Sequence, residues 1–159
     1  MRQNTLFQSG TGLGTPGTAR KKDFPIVASE GSSEERNDHF VVRNGVRCAG
    51  AHLIIDLYGA KKLDDLAHIE AALRDCVEAS GATLLHIHLH HFEPNGGVSG
   101  VAVLAESHIS IHSWPEHGYA ALDVFMCGNA NPDACVPVLR KAFKPSRIAV
   151  SEHLRGQGV

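Results

Sequence analysis

The sequence predicts an α+β fold, a two-layer sandwich in which helices cover one face of a mostly antiparallel sheet. Three observations support this prediction. A short apolar strand leads into an amphipathic helix, the middle of the chain holds three or four strands joined by short turns, and a second helix and a last strand complete the chain. Strands joined by short turns pair antiparallel, and the flanking helices then share one face of the sheet.

The first 44 residues are predicted to be a disordered N-terminal extension, and residues 45–159 a single folded domain. The extension is rich in Gly, Ser, Thr and Asn, and it contains the turn-prone run Ser9–Gly12 and the charged run Glu34–Arg36. Segments of this composition bury too little apolar surface to offset the entropy of ordering. The remainder is long enough to bury one hydrophobic core.

The first strand and helix of the domain follow from two apolar patterns. Residues 51–58 form an apolar run that ends at Gly59, as in a buried strand. Apolar residues then recur at spacings of three and four: Leu66, Ile69, Leu73, Cys76 and Val77. This spacing is typical of a helix that buries one face, with Asp64 and Asp65 in its first turn and Gly81 as its C-cap.

Turn residues divide the rest of the domain into strands and a second helix. The strands are predicted at residues 85–90, 101–105, 109–113, 119–126 and 148–150. Turns over residues 94–97 and 114–118 join neighbouring strands of this set. The second helix is predicted over residues 131–143, with Asn131 as its N-cap and Pro132 at its first position.

Composition narrows the class of protein. Lys and Arg total 15 against 17 for Asp and Glu, without a long basic run, so a nucleic-acid partner is not expected. No apolar stretch approaches the roughly 20 residues that span a bilayer, so no membrane partner is expected. The four cysteines lie far apart without a Cys-x-x-Cys pair, which favours a reducing cytoplasm over a disulfide scaffold.

The densest cluster of reactive side chains spans residues 106–116, and the residues alone leave its chemistry open. Ser107 stands near histidines and acids, as a hydrolase nucleophile would, yet it lacks the Gly-x-Ser-x-Gly turn that exposes such a serine. His86, His88 and His90 share one strand face and suggest a metal site. Alternating strand residues are roughly 6 to 7 Å apart, which is wide for one zinc ion, so a solvated histidine face is the competing interpretation.

The run Glu106–Gly128, ESHISIHSWPEHGYAALDVFMCG, closely resembles the signature of prokaryotic S-adenosylmethionine decarboxylase proenzymes. Residues 97–100 and 51–59 are similar to the same family, so the resemblance covers residues 45 to 156, and the N-terminal extension departs from the family pattern. Polar residues held in register over so long a run are more specific than a lone short motif.

The resemblance implies a proenzyme that cuts itself between Glu106 and Ser107 into chains 1–106 and 107–159. Ser107 would attack the Glu106 carbonyl, and elimination would leave a pyruvoyl group at the new N-terminus. Its ketone would form a Schiff base with S-adenosylmethionine and take up the electrons left by CO2, the task of pyridoxal phosphate in other enzymes. Neither pyridoxal phosphate nor a metal is expected. The hydroxyl must press on its own preceding carbonyl, which predicts backbone strain or an oxyanion donor there.

The family motif also implies roles for individual residues. His112 would assist elimination during processing, Ser99 would support it, and Cys127 would return a proton to the decarboxylated carbon. Imidazole and thiol groups exchange protons near neutral pH, which suits these roles. The implied substrate-binding residues are Trp114 by the adenine, Glu116 on the ribose hydroxyls and Phe92 as a second stacking ring. Plainer interpretations remain: core residues for Cys127 and Trp114, and exposed turn residues for Ser99 and Glu116.

Strand pairing gives an independent test of where Cys127 lies. A turn centred between Glu116 and His117 pairs residues whose numbers sum to about 233. Glu106 then lies opposite Cys127, which places the thiol beside the cut site.

Distances along a strand lead to a prediction about assembly. At roughly 3.3 Å per residue, His112 would stand roughly 16 Å from Ser107, and Ser99 roughly 26 Å away in the other direction. One chain would then not bring these groups together. We therefore predict a homodimer of cleaved protomers with shared active sites, in which Ser107 and Cys127 meet the partner's His112 and Ser99.

Three alternatives to this function stay open at the level of sequence. The first is a decarboxylase with the same processing chemistry that acts on another amino acid, such as arginine. The second is a non-enzymatic metal-binding module built on the histidines. The third is a degenerate partner subunit that is never processed.

Overall fold

The computed structural model describes residues 39–43 and 45–159, which form eight strands and two α-helices. The strands are β1 (Val41–Arg43), β2 (Val46–Cys48), β3 (Gly50–Tyr58), β4 (Leu84–His91), β5 (Val98–Leu104), β6 (Ser107–Trp114), β7 (Tyr119–Met126) and β8 (Arg147–Arg155). The helices are α1 (Leu66–Ser80) and α2 (Cys135–Phe143), and single 3-10 turns span Pro115–His117 and Pro132–Ala134.

Six strands form one sheet in the order β4-β5-β6-β7-β3-β8, and every neighbouring pair in it is antiparallel. β1 and β2 form a separate antiparallel pair. Buried residues of both helices join one core cluster with alternate residues of the sheet. The predicted α+β fold, with an antiparallel sheet and helices on one face, is therefore confirmed.

The alternation of side chains in β3 shows why the helices lie on that face. Leu53, Ile55 and Leu57 are fully buried, whereas Ile54 between them is 41% exposed. Successive strand residues point to opposite faces, so the apolar set of β3 forms one wall of the core. The opposite face of the sheet carries His52, Ile54 and Asp56 and has no helix over it among the described residues.

The helix ends agree with the predictions in part. Gly81 ends α1 in the left-handed conformation with φ of 73°, as predicted for the C-cap. Asp65 is the N-cap of α1, and its carboxylate accepts the His68 N–H at 2.9 Å, so its predicted place in the first turn is wrong by one residue. Asn131 caps the 3-10 turn, and α2 begins only at Cys135. Pro132 starts a tight turn that precedes the regular helix.

The folded region starts before the predicted boundary. β1 lies within residues 1–44, and the pairing of β1 with β2 was not predicted. Three-residue strands of mixed polarity lack the alternation that identifies longer strands. The predicted disorder of residues 1–38 lies outside the described residues. β8 is also longer than predicted, since it pairs with β3 over nine residues rather than three.

Candidate active site

The predicted cut site lies in the tight turn between β5 and β6. Leu104 pairs with Ser107, so only Ala105 and Glu106 connect the two strands. Glu106 has a φ of 57°, in the left-handed region that costs a residue with a Cβ atom about 1–2 kcal/mol. Backbone strain therefore sits on the residue that supplies the carbonyl of the predicted cleavage.

Cys127 contacts both sides of the peptide bond between Glu106 and Ser107. Its thiol donates to the Glu106 carbonyl oxygen at 3.2 Å, and its backbone N–H donates to the Ser107 hydroxyl oxygen at 3.3 Å. The thiol and the hydroxyl lie 3.7 Å apart. His108 pairs with Phe125 between β6 and β7, which follows the predicted sum of about 233, so the predicted pairing is confirmed.

This arrangement favours attack on the peptide by its own serine. A donor on the carbonyl oxygen stabilises the negative charge that develops there when a hydroxyl adds to the carbon. The Cys127 thiol is such a donor, and the side chain of Ser107 is buried, which limits competition from bulk water. Strain and an oxyanion donor, of which at least one was expected, both occur at this peptide.

A cavity of about 200 Å³ adjoins the cut site, and Glu106, Cys127 and His39 contribute to its wall. The Nδ1 atom of His39 lies 2.8 Å from Oε2 of Glu106. His39 was missed because it falls in the segment predicted to be disordered. No spacing or motif in the sequence indicates its position.

Ser99 and His112 meet at the other end of β6. They are direct partners across β5 and β6, and the Ser99 hydroxyl lies 2.8 Å from Nδ1 of His112. The prediction that Ser99 extends away from Ser107 in the opposite direction is wrong, because the chain reverses at Ala105 and Glu106. A hydrogen bond to one ring nitrogen holds the imidazole in a defined orientation.

The three predicted substrate-binding residues line a second cavity, of about 240 Å³, next to this pair. Phe92 is 49% and Trp114 is 40% exposed, so neither is a core residue. Glu116 is also exposed and faces the same cavity. Two aromatic rings offer stacking surfaces, and a carboxylate accepts hydrogen bonds from hydroxyl groups. This set suits a nucleoside better than a plain amino acid.

Tyr119 supports Trp114 from the neighbouring strand. The two rings pack with centroids 5.3 Å apart. The Tyr119 hydroxyl donates to Asp56 at 2.6 Å, and this hydrogen bond is the main cause that raises the pKa of Tyr119 to about 12. The tyrosine therefore stays protonated near neutral pH and keeps its bond to the carboxylate.

Two residues to which the sequence assigned no role in the site shape the wall of the second cavity. The buried Ser113 hydroxyl donates to the Leu63 carbonyl at 2.7 Å and accepts the Val98 N–H at 2.8 Å. A Cβ atom on Gly97 would lie 2.9 Å from the Ser113 carbonyl oxygen, so the close approach of these segments requires glycine. Gly97 was recognised as part of a turn, but no pattern indicates its contact with Ser113.

The two clusters stand apart within one chain. Ser107 and His112 are five positions apart on β6, about 16 Å for an extended strand. Ser107 points to the buried face of the strand and His112 to the exposed face. The adjoining cavities, about 200 and 240 Å³, are each smaller than the roughly 300–1,000 Å³ of typical small-molecule sites.

A polar cluster occupies the open face of the sheet between these ends. Asp123 accepts from the Ser110 hydroxyl at 3.0 Å and lies 3.3 Å from Nε2 of His52. His108 stacks on Phe125 nearby. Burial, and then the charge of His52, lower the pKa of His108 below its usual value. His108 therefore takes up a proton less readily than an exposed histidine does.

The histidine strand lies at the edge of the sheet, with the side chains of His86, His88 and His90 exposed. Among residues 39–43 and 45–159, no three His, Cys, Asp or Glu side chains are arranged to hold a metal ion. The exposure of these histidines agrees with the solvated interpretation. Within the same part of the chain, neither helix has the length and apolar character to cross a membrane.

Comparisons with known proteins identify the family. A family model described as S-adenosylmethionine decarboxylase matches residues 51–156. An S-adenosylmethionine decarboxylase proenzyme of Thermomicrobium roseum is 49% identical over 112 residues, which are 70% of this chain and 97% of that protein. A proenzyme of the same name from Methanococcus aeolicus is 49% identical over 113 residues, 69% of this chain and 96% of that protein.

A solved structure supports membership of the same family. The crystal structure of the adenosylmethionine decarboxylase from Aquifex aeolicus matches with a TM-score of 0.62 and 37% sequence identity, over 69% of this chain and 92% of that one. The matched region of the family model contains Ser107, Cys127, His112 and Ser99, which form the two clusters described above. The chain therefore belongs to the S-adenosylmethionine decarboxylase family.

Proposed function

We propose that this chain is a self-processing, pyruvoyl-dependent decarboxylase that converts S-adenosylmethionine to its decarboxylated form, the aminopropyl donor for spermidine and other polyamines. One observation carries the proposal: in a strained turn, the Cys127 thiol donates to the carbonyl oxygen of Glu106 and also lies 3.7 Å from the Ser107 hydroxyl. Membership of the family supports the substrate, since relatives that are about half identical are named for it.

Self-cleavage begins with the hydroxyl of Ser107. Its oxygen adds to the Glu106 carbonyl carbon while the Cys127 thiol stabilises the carbonyl oxygen. Breaking the C–N bond gives an ester and releases the strain of the left-handed turn. Removal of the α proton of residue 107 then expels the Glu106 carboxylate, and His112 of the second copy is the base that we assign to this step. The dehydroalanine left at residue 107 takes up water and loses ammonia, which gives the pyruvoyl group. The first chain ends at Glu106.

The surroundings of Ser107 fit a pyruvoyl group at this position. The serine is buried beside the Cys127 thiol, it follows a strained turn, and a cavity opens next to it. The group would accept the electron pair that remains on the substrate when CO2 leaves. Cys127 is the residue that we assign to return a proton to that carbon, because its thiol already lies beside residue 107.

The second cavity is the proposed site for the nucleoside part of the substrate. Trp114 and Phe92 offer ring faces to the adenine, and Glu116 accepts hydrogen bonds from the ribose hydroxyls. Arginine offers neither a purine ring for Trp114 and Phe92 nor hydroxyl groups for Glu116. The lining therefore favours S-adenosylmethionine over arginine.

A second copy of the chain is proposed to complete each site. Neither cavity alone has the volume of a typical small-molecule site, and about 16 Å separates Ser107 from His112 along β6. The uncovered face of the sheet carries the exposed side chains of Ile54, Val103 and Trp114. A homodimer of cleaved protomers that covers this face would supply His112 and Ser99 of each protomer to the other.

The proposed location of the enzyme is the reducing cytoplasm. All four cysteines are free, and three of them are buried. The mechanism assigns Cys127 as a proton donor, and a thiol must stay reduced to act in this way.

The intact mass of the purified protein under denaturing conditions tests self-processing. We expect two chains, of 106 and 53 residues, and the shorter chain should resist Edman degradation because a pyruvoyl end has no amine. Ser107→Ala removes the nucleophile and is expected to yield a single chain of 159 residues. A parent chain that stays uncut would favour the unprocessed partner subunit instead.

Thermal unfolding of the processed protein tests the substrate. S-adenosylmethionine should raise the unfolding midpoint, and arginine should not, because only a ligand of the native state stabilises it. Trp114→Ala is expected to weaken the shift. Stabilisation by arginine alone would assign the chain to the alternative substrate.

A further inference from the structure

An additional residue touches the cut site from outside the family's matched region. That region starts at residue 51, whereas His39 precedes it by twelve positions. The Nδ1 atom of His39 lies 2.8 Å from Oε2 of Glu106. The same residue also makes a main-chain contact, because its carbonyl oxygen accepts the Gly128 N–H at 2.7 Å.

These two contacts bridge the two halves of the cut site. Gly128 directly follows Cys127, the residue whose thiol donates to the Glu106 carbonyl. The backbone of His39 is thus fixed to the end of β7, and its side chain reaches across to the turn between β5 and β6. The Glu106 carboxylate that it meets also lies 3.8 Å from the Cys127 thiol. His39, Glu106, Cys127 and Gly128 therefore form a closed ring of contacts.

This ring of contacts can hold Glu106 in its strained conformation. A left-handed backbone is unfavourable for a residue with a Cβ atom, so outside contacts must hold it against relaxation. If Glu106 rotated out of this conformation, its carbonyl would leave the Cys127 thiol. Holding the carboxylate at a fixed point opposes that rotation.

We propose that His39 is a positioning residue for self-processing, which holds Glu106 so that its carbonyl stays hydrogen-bonded to the Cys127 thiol. This role rests on the proposed function. After cleavage, His39 and Glu106 belong to the same fragment, 1–106. The pair then retains the new C-terminus beside the cavity of the cut site.

The size of the expected effect follows from exposure. The side chains of His39 and Glu106 are 55% and 52% exposed, so solvent weakens their pairing. His39 positions the reacting carbonyl and does not touch the attacking atom. We therefore expect loss of its side chain to slow cleavage about threefold, without abolishing it.

The experiment measures the first-order rate at which the full-length chain, made by cell-free translation, yields fragment 107–159. His39→Ala should be slowed about threefold. His39→Asn should recover most of the parent rate, because its amide nitrogen offers a donor near the position of Nδ1. Arg74→Ala is the matched control, since it breaks an exposed ion pair with Glu70 on α1, and its rate should equal the parent's.

A double-mutant cycle shows whether His39 acts through Glu106. Glu106→Ala removes the acceptor and keeps a Cβ atom, and in that background His39→Ala should cause no further slowing. Two outcomes would overturn the role of His39: slowing of the same size in both backgrounds, or a His39→Ala variant that is cleaved as fast as the parent. In either case, cleavage of the parent chain would still support the proposed function. A parent chain that is never cut would overturn both. Equal rates for the asparagine and alanine variants would show that the hydrogen bond of His39 does not matter, and this would also overturn the proposal.

Discussion

At the scale of residues, Cys127 serves two stages of the proposed reaction from one position. Its thiol donates to the Glu106 carbonyl before cleavage, and it lies 3.7 Å from the hydroxyl of the residue that becomes the reactive end. The backbone N–H of Cys127 also donates to that hydroxyl. One side chain at the end of β7 therefore has both an oxyanion-stabilising contact and access to the later reaction centre.

Substitution of Cys127 separates these roles. Cys127→Ala should slow self-cleavage about tenfold, because the carbonyl loses its donor, although a thiol is weaker than the amides of an oxyanion hole. Cys127→Ser keeps a hydroxyl donor and should cleave faster than the alanine variant. Denaturing gels that follow fragment 107–159 give the rates. Equal rates for the two variants would contradict the oxyanion role.

Protonation of His108, on the open face of the sheet, should make the stability of the fold depend on pH. Burial and the nearby His52 lower the pKa of His108 in the folded chain below the usual 6.5. When the pH falls below about 6.5, the unfolded chain binds a proton at this residue more readily than the folded chain does. Stability is therefore present above that pH and is lost as the pH falls through the lower folded value.

We expect the midpoint temperature of thermal unfolding to decrease when the pH is lowered from 7.5 to 5.5. The decrease should be smaller in the variant His108→Gln. Glutamine has no charge to gain, so the part of the loss due to this residue disappears. His91→Gln, at an exposed histidine near the other end of the sheet, is the comparison. Identical pH dependence in the parent and in His108→Gln would refute this assignment.

At the scale of elements, β6 serves both clusters through the alternation of its side chains. Ser107 points inward with Ile109 and Ile111, while His112 points outward with Trp114. The preceding turn has only two residues, and turns of this length usually place Gly or Asn where φ is positive. Here Glu106 takes that position. The hairpin therefore stores strain at the bond that is proposed to break.

The N-cap of α1 offers a test of the helix layer. Asp65→Ala removes the carboxylate that accepts the His68 N–H, and the free energy of unfolding should fall by about 1 kcal/mol. Asp64→Ala removes the neighbouring exposed charge, which does not cap the helix, and should have a smaller effect. Urea denaturation measures both. Equal losses in the two variants would mean that charge near the helix end, and not the cap, is responsible.

At the scale of the whole molecule, the chain carries two separate clusters of candidate site residues, which we propose are halves of one shared site. The cleavage group lies at one end of β6 and the Ser99–His112 pair at the other. The face of the sheet opposite the helices carries exposed apolar and aromatic side chains, which a second copy would bury. Two-fold symmetry allows each protomer to give one half-site and to receive the other.

A mixed dimer tests this sharing. When Ser107→Ala and His112→Ala chains are combined, one of the two sites has neither substitution if the site spans both protomers. The His112→Ala chain should then be cleaved in the mixture, although either variant alone is cleaved slowly or not at all. Distinct affinity tags and denaturing mass spectrometry identify which chain was cut. Continued absence of cleavage in an assembled mixed dimer would contradict the proposal that the site is shared.

Much of the fold was predictable because its signals are local. β7 begins and ends where the alternating pattern predicted, and Gly81 ends α1 as its conformational freedom suggested. The sum of about 233 follows from the position of one turn, and this single inference is enough to place Cys127 near Glu106. The strands β1 and β2 were missed, because three-residue strands carry no periodic signal.

The candidate site was predictable in its members and only partly in its geometry. The motif indicated Ser107, His112 and Cys127, but a straight-strand estimate sent Ser99 in the wrong direction. Contacts between distant positions leave no mark on a single sequence. The bond between Ser113 and Leu63 and the pair of His39 with Glu106 are of this kind.

By itself, the sequence determined the order of the strands β3 to β8 and of the two helices, the family and the candidate residues for the chemistry. Periodicity, turn residues and a long motif are properties of neighbouring positions. Only the tertiary structure decided that Glu106 is strained, that Ser99 meets His112, and that His39 reaches the cut site. Strand pairing and chain reversal bring together residues that are far apart in sequence, and their energies depend on the whole packed sheet.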